Sequence, residues 1–386
     1  MTSLRWIKIL LTSLMGIFLV VISFNYIVDP YGLYNVNVFK DKPKADTKSR
    51  LSTPLRVKKI KPASVILGSS RVYYAYNTKH QIFIKPALNT SFSGGNIHEA
   101  MKILDYSIKQ GNLKRAVLML DWEMFFPEVA NTAPDFDEYF NDPNIYKYLL
   151  TVQTFRASVD TIRKQNNPIE INSLFKKSNI NIDADENILS VPDSDKDGNY
   201  NHIKITHKTE QRSYIKNLAN YIYRDLMYSS LDDFEAILKM SYENNVELFL
   251  GIGPSHIRLW EALDYRRGYD KWLNWKKDIV GITEKVAREL NKQPFEIIDF
   301  AIYHEITSEE FPQDPKIAMQ YYKESSHYTT KLANIVLDRL LGINGYEDFG
   351  VVINNSNIDS HLEKLKQDRA KYIDTKAYRL EVFGEK

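Results

Sequence analysis

Ser64-Val65-Ile66-Leu67-Gly68-Ser69-Ser70-Arg71 decides how this chain is read: an apolar run stops abruptly at a glycine and two serines. A short apolar run bounded by turn residues is the pattern of a strand enclosed on both faces. The pattern recurs outward from this point. Residues 87–92 form a second run, and residues 116–120, Ala-Val-Leu-Met-Leu, a third, with a helical stretch over 97–110 between them. Strand, helix, strand predicts a parallel pair, because parallel neighbours need a crossover that a helix supplies. Residues 246–252 and 295–300 add two more runs, each preceded by an amphipathic helical pattern, at 231–244 and 279–291. The expectation is an α/β fold with a doubly wound, mainly parallel five-stranded sheet. Active residues of such sheets gather at the carboxyl ends of the strands. The loops after Leu67, Phe92, Leu120, Ile252 and Phe300 are therefore where chemistry is to be sought.

Ahead of this domain, residues 9–28 carry no charge and are apolar all round, about the 20 residues that cross a hydrocarbon core. The span ends in Asn25-Tyr26-Ile27-Val28-Asp29-Pro30, without the small residues of a cleavage site, so residues 1–28 are expected to persist as a transmembrane anchor. Arg5 and Lys8 favour a cytoplasmic N-terminus with the bulk of the chain outside the cytoplasmic membrane, periplasmic or at the cell surface. Residues 29–61, rich in lysine and punctuated by proline, read as a juxtamembrane linker. The main domain is expected over 62–342, interrupted by a polar insertion over about 125–224. Within it Asp193, Asp195, Asp197 and Gly198 echo part of a calcium loop, but its closing Glu is missing, which points to a solvated loop and no metal site. Residues 343–386 read as a charged tail with a peripheral helix over 358–372.

With Lys plus Arg at 51 against Asp plus Glu at 49, the balance gives no electrostatic reason to expect a nucleic-acid partner. The absence of cysteine excludes disulfides, thiolate metal sites and a Cys nucleophile. Tyrosines cluster around residues 73–76 and 321–328, where aromatic rings either stack on a sugar or serve packing and hydrogen bonding.

Gly68-Ser69-Ser70 stands where a nucleophile would sit, at a strand-to-loop junction with a glycine that lets substrate approach, although the same triplet is ordinary loop composition. Far along the chain, Glu324-Ser325-Ser326-His327-Tyr328 precedes a helix carrying Leu332, Ile335, Val336 and Leu340. A carboxylate three residues before a histidine can hydrogen-bond the imidazole, fix its tautomer and stabilise the imidazolium. His256, after the fourth strand, stands at the catalytic edge either as a substrate contact or as a helix-start residue, and Asp299, which ends the fifth strand, offers a rival carboxylate for His327.

In this order the pieces resemble the SGNH (GDSL-type) hydrolase superfamily over roughly residues 62–342. The resemblance implies a flavodoxin-like three-layer sandwich. It makes Ser70 the nucleophile with Ser69 in reserve, His327 the general base, Glu324 its orienting carboxylate, and Gly94, in Asn89-Thr90-Ser91-Phe92-Ser93-Gly94-Gly95, an oxyanion-binding residue. No metal or other cofactor is implied. The third family block departs: Asp121-Trp122-Glu123-Met124 stands where an oxyanion-hole asparagine is expected, leaving Asn96 or a backbone N–H to substitute. With the anchor, the chain looks similar to bacterial cell-envelope proteins that handle acyl groups on exported polysaccharides, including relatives of the alginate acetylation proteins. That implies a membrane-bound acyltransferase or esterase whose substrate is the O-acetyl group of an exopolysaccharide, working beside export or acyl-donor membrane proteins. Two alternatives stay open, a D-alanyl-transfer-like protein and a catalytically weak or inactive glycan-binding or assembly protein of the same fold.

Overall fold

The computed structural model describes residues 3–34, 36, 38–39, 42, 48–126, 136–141, 144–165, 194, 197–211, 229–343 and 345–384. Its helices are α1 (Ser3–Val28), α2 (Ser49–Ile60), α3 (Ser70–Ala75), α4 (Ile97–Lys109), α5 (Val152–Arg163), α6 (His202–Thr209), α7 (Ser230–Glu243), α8 (Ile257–Arg267), α9 (Tyr269–Glu289), α10 (Thr330–Leu340), α11 (Ile358–Tyr372) and α12 (Thr375–Phe383). The strands are β1 (Ser64–Leu67), β2 (Ala87–Asn89), β3 (Arg115–Leu120), β4 (Glu247–Ile252), β5 (Ile297–Asp299) and β6 (Val351–Ile353). Two compact units result, one from residues 1–59 with 133–184 and the other from residues 60–132 with 185–386.

The second unit is α/β with one mixed six-stranded sheet, ordered β2-β1-β3-β4-β5-β6. The first five strands run parallel, as their apolar runs and crossover helices require, and their order is one of the two common doubly wound arrangements. The sheet differs from the five-stranded expectation in β6, which pairs antiparallel with β5 through Ile297↔Ile353 and Asp299↔Val351. The segment beyond Gly342 thus adds an edge strand to the sheet, and α11 buries Ile358, Leu362 and Leu365.

Alternation along the strands divides the core. Ile66, Val117, Met119, Ile298 and Phe300 point to one face, where α3 and α10 cover them with Val72, Tyr76, Leu332 and Val336. The intervening Val65, Leu67, Leu118 and Leu120 are equally buried and face the other way, and α4, α7 and α9 pack side by side. Ser229 caps α7 and Asn96 caps α4, each in a capping box that satisfies first-turn donors and fixes where the helix begins.

In the first unit, α1 is long and apolar enough to cross a membrane over Leu4–Val28, and every residue from Leu4 to Val20 is exposed. Its last turn is different. Asn25 is buried, donates to the Leu149 carbonyl at 2.8 Å and accepts from the Ser158 hydroxyl at 2.9 Å, while Phe24 meets Phe155 with ring centroids 5.3 Å apart. The stretch expected as a linker, 29–61, contains α2, and Tyr31, Leu33 and Leu51 share a small apolar cluster with Ala157 of α5. A truncation meant to release soluble protein should therefore begin near Val21. Starting instead at Asp29 removes the buried Asn25 and Val28 and is expected to cost the first unit about 3 kcal/mol or more, read from denaturant unfolding of the two truncated chains.

Of the insertion, residues 125–126, 136–141, 144–165, 194 and 197–211 are described; Asp193 and Asp195 of the acidic loop lie outside the described residues.

Candidate active site

Gly68 follows β1 because nothing larger fits. A Cβ there would stand 2.3 Å from Val72 Cγ2 and 3.2 Å from the Met119 carbonyl. The chain turns directly into α3, with Ser69 as N-cap: its hydroxyl accepts the Arg71 N–H at 3.2 Å and donates to an Asp121 carboxylate oxygen. Both hydrogen-bonding roles of Ser69 are thereby occupied, and it is buried. Ser70, the first residue of α3 and only half-buried, is the serine left to face outward.

Opposite it, the segment between β5 and α10 folds back on itself. Tyr322 bridges Tyr328, Lys323 N–H donates to the His327 carbonyl at 2.9 Å, and Thr329 N–H donates to the Tyr321 carbonyl at 2.8 Å before Thr329 caps α10. The tip of this loop presents His327. His327 Nε2 lies 2.9 Å from Ser70 Oγ, and Nδ1 is hydrogen-bonded to Glu324 Oε1. Glu324 curls back onto its own loop, accepting the His327 N–H at 2.8 Å and the Ser326 N–H at 2.9 Å, which absorbs the extra methylene of Glu relative to Asp. Burial works against its ionisation, but the facing imidazole and these hydrogen bonds outweigh it and hold the carboxyl below its ordinary value. Ser70, His327 and Glu324 thus form one hydrogen-bonded chain across 257 residues of sequence. Tyr74 packs edge-on against the imidazole at 5.6 Å.

Asp299 does not join them. It accepts from Lys276 Nζ at 2.6 Å and pairs with His361 Nε2 at 2.8 Å, inside the sheet edge. His256 caps α8: its Nδ1 accepts the Arg258 N–H at 3.2 Å and its Nε2 pairs with the Glu309 carbonyl at 2.9 Å. Burial pushes its imidazole down to about 4 from 6.5. The unfolded chain takes up that proton below about pH 6.5, whereas the folded chain resists until about 4. The stability this residue supplies is complete above pH 6.5 and is lost, about 3 kcal/mol of it, as pH falls to 4. His256→Asn keeps a capping acceptor and is expected to flatten that stretch of the stability profile in denaturant titrations.

The end of β3 holds what the sequence reading left unresolved. Arg71 forks onto Glu123, with Nη2 to Oε1 at 2.6 Å and Nη1 to Oε2 at 3.2 Å, and also reaches Asp121 Oδ1 at 3.1 Å. Its Nε donates to the Ser326 carbonyl at 3.0 Å, tying α3 to the histidine loop. Glu123 is therefore a paired side chain. Burial pushes the Asp121 carboxyl up, with Glu123 adding to the effect and Arg71 opposing it.

Gly94 sits on the turn after β2 at φ +62, a conformation that favours glycine. That turn packs close to β1, since a Cβ on the next residue, Gly95, would stand 2.8 Å from the Gly68 carbonyl. Asn96 spends its side-chain oxygen on the Glu99 N–H at 2.9 Å as the cap of α4. Asn89 holds the end of α3 through the carbonyls of Val72 and Tyr76. The tyrosine clusters are largely structural: Tyr73, Tyr76, Tyr322 and Tyr328 are buried.

Three supporting residues escaped sequence reasoning. Arg71 and Asp121 are described above; the third is His202, whose Nδ1 pairs with the Lys323 carbonyl at 2.8 Å while Nε2 accepts the Met319 N–H at 3.1 Å. It braces the histidine loop from within the insertion.

No protein-family model matches the chain, and no curated protein matches it at a significant level.

Proposed function

We propose that this chain is a membrane-anchored serine acyltransferase or esterase of the SGNH type, acting on O-acetyl groups of an exported polysaccharide. The observation that carries the reading is the Ser70–His327–Glu324 relay at the carboxyl end of β1. The strand order supports an SGNH-type three-layer domain, to which β6 is an addition.

Ser70 Oγ attacks the acyl carbonyl carbon while its proton passes to His327 Nε2, and Glu324 stabilises the resulting imidazolium. Collapse of the tetrahedral adduct breaks the bond to the leaving oxygen, which takes the proton from His327 and leaves an acyl-serine. A sugar hydroxyl or water then gives its proton to His327 and attacks the acyl carbon, and the bond to Ser70 Oγ breaks as that oxygen takes the proton back from His327. The oxyanion faces the Ser70 N–H, in the first turn of α3 where amides have no intrahelical partner, together with Gly94. Arg71 neutralises Glu123, which would otherwise repel that charge.

α1 anchors the protein in the cytoplasmic membrane, with the second unit on the extracytoplasmic side. Tethering raises the local concentration of enzyme beside a polymer in export, an advantage to transfer that a free scavenging esterase would not share. The absence of an amide side chain at Glu123 favours the second reading, a glycan-binding protein of the same fold without turnover. The two part in one experiment, in which an activated acetyl ester is supplied with and without oligosaccharide acceptors. Acetylated sugar that depends on Ser70 and His327 is the expected result; free acetate alone indicates an esterase, and turnover unchanged by both alanine variants refutes the catalytic assignment.

A further inference from the structure

Outside the candidate site, the most informative surface belongs to the first unit, beside the end of α1. Trp6 and Tyr26 stand exposed toward the two ends of that helix. Twenty residues at about 1.5 Å per residue separate them by roughly 30 Å, the thickness of a hydrocarbon core, and exposed Trp and Tyr rings sit at its two boundaries. Tyr26 thus marks the level at which the chain leaves the bilayer.

Other elements of this unit share that level. Asn25 holds the carbonyl of Leu149, at the end of the 3-10 turn Ile145–Leu150, and Phe24 holds Phe155 of α5. Their outward side is apolar where a soluble surface would be polar. Tyr146 and Val152 are each 68% exposed, Leu150 52% and Phe155 41%. Lys147 and Arg156 are exposed among them, and Arg163 and Lys164 follow at the end of α5. Asp160 is the sole acidic residue in 144–165, although charges over the whole chain nearly balance. A short amphipathic stretch with apolar side chains and interspersed cations suits the boundary between acyl chains and headgroups. Here it is continuous with a helix of the length to cross that boundary.

We propose that the face formed by Tyr146, Leu150, Val152 and Phe155 lies in the headgroup region of the same bilayer that α1 crosses, with Lys147 and Arg156 against anionic lipid phosphates. The first unit is then a collar seated on the membrane, and this rests on the reading of α1 as a membrane span. Such a seat fixes the tilt and rotation of α1, which a lone helix leaves open.

The chain has no cysteine, so a single introduced one can be labelled without background. Spin labels are placed on Leu150→Cys, Val152→Cys, Met15→Cys and Lys366→Cys in the full chain, in vesicles of phosphatidylethanolamine and phosphatidylglycerol. Each is scored for accessibility to oxygen, which enters lipid, and to a water-soluble nickel complex. Met15 is expected to report the bilayer interior and Lys366 bulk water. Leu150 and Val152 are expected to give an oxygen-to-nickel ratio several-fold above that of Lys366. A ratio equal to that of Lys366, with Met15 still in lipid, overturns the collar and leaves the anchor standing. Met15 in water overturns both. Shielding of positions 150 and 152 from both reagents means that protein, such as a second copy, covers the face, and also overturns the proposal.

Discussion

Replacing Ser70 with alanine is expected to lower kcat/KM for an activated acetyl ester by roughly four to six powers of ten, with His327→Ala close behind. The two losses should not multiply in the double variant, because nucleophile and base act as one unit through the 2.9 Å contact between Ser70 Oγ and His327 Nε2. Ser69→Ala separates the two serines. Its hydroxyl caps α3 and contacts Asp121, so its removal should register mainly as lost stability, about 1 kcal/mol, with turnover retained. Activity that survives Ser70→Ala but not Ser69→Ala would reverse the assignment.

The second large effect concerns Arg71. It is nearly buried, and its guanidinium is shared by Asp121, Glu123 and the Ser326 carbonyl. Arg71→Met keeps the apolar stem and removes the charge, leaving two carboxylates facing one another with little water. The expected cost is about 3–5 kcal/mol, read as a lowered denaturant midpoint at neutral pH. Neutralising both acids in the same background, as Asp121→Asn with Glu123→Gln, should recover part of the loss, since the penalty lies in unpaired charge. Arg71→Lys should fall between, because an ammonium supplies the charge but not the fork. A loss below about 1 kcal/mol for Arg71→Met would mean that water already screens the pair.

The parts of the fold that were legible in the sequence are those with a strong local pattern. β1, β3 and β4 are continuous apolar runs, and α4, α7 and α10 carry apolar stripes with capping residues ahead of them. β6 was not legible: three residues, Val351–Ile353, on an antiparallel edge of a charged segment offer no period to detect. The helix α2 was hidden by Pro54 within it and by its lysines, which together read as linker.

The site divides the same way. Ser70 stands at a strand-to-loop junction, and Glu324 lies three residues from His327, so each left a local sign. The clamp that makes Glu123 tolerable left none, for Arg71 finds its partners 52 and 255 residues away. His202 is similarly remote, at 121 residues from the carbonyl it holds. Only folding brings such pairs together, and a single sequence records no trace of them.

The central claim, an acyl-serine on Ser70, is tested most directly by brief incubation of the full chain with an activated acetyl ester, acid quenching, and mass analysis of the intact protein and its peptides. One acetyl group on the peptide carrying Gly68-Ser69-Ser70-Arg71, assigned to Ser70 and absent from Ser70→Ala and His327→Ala, is the predicted result. An unmodified Ser70 during sustained turnover, or equal acetylation of that peptide in His327→Ala, would contradict it.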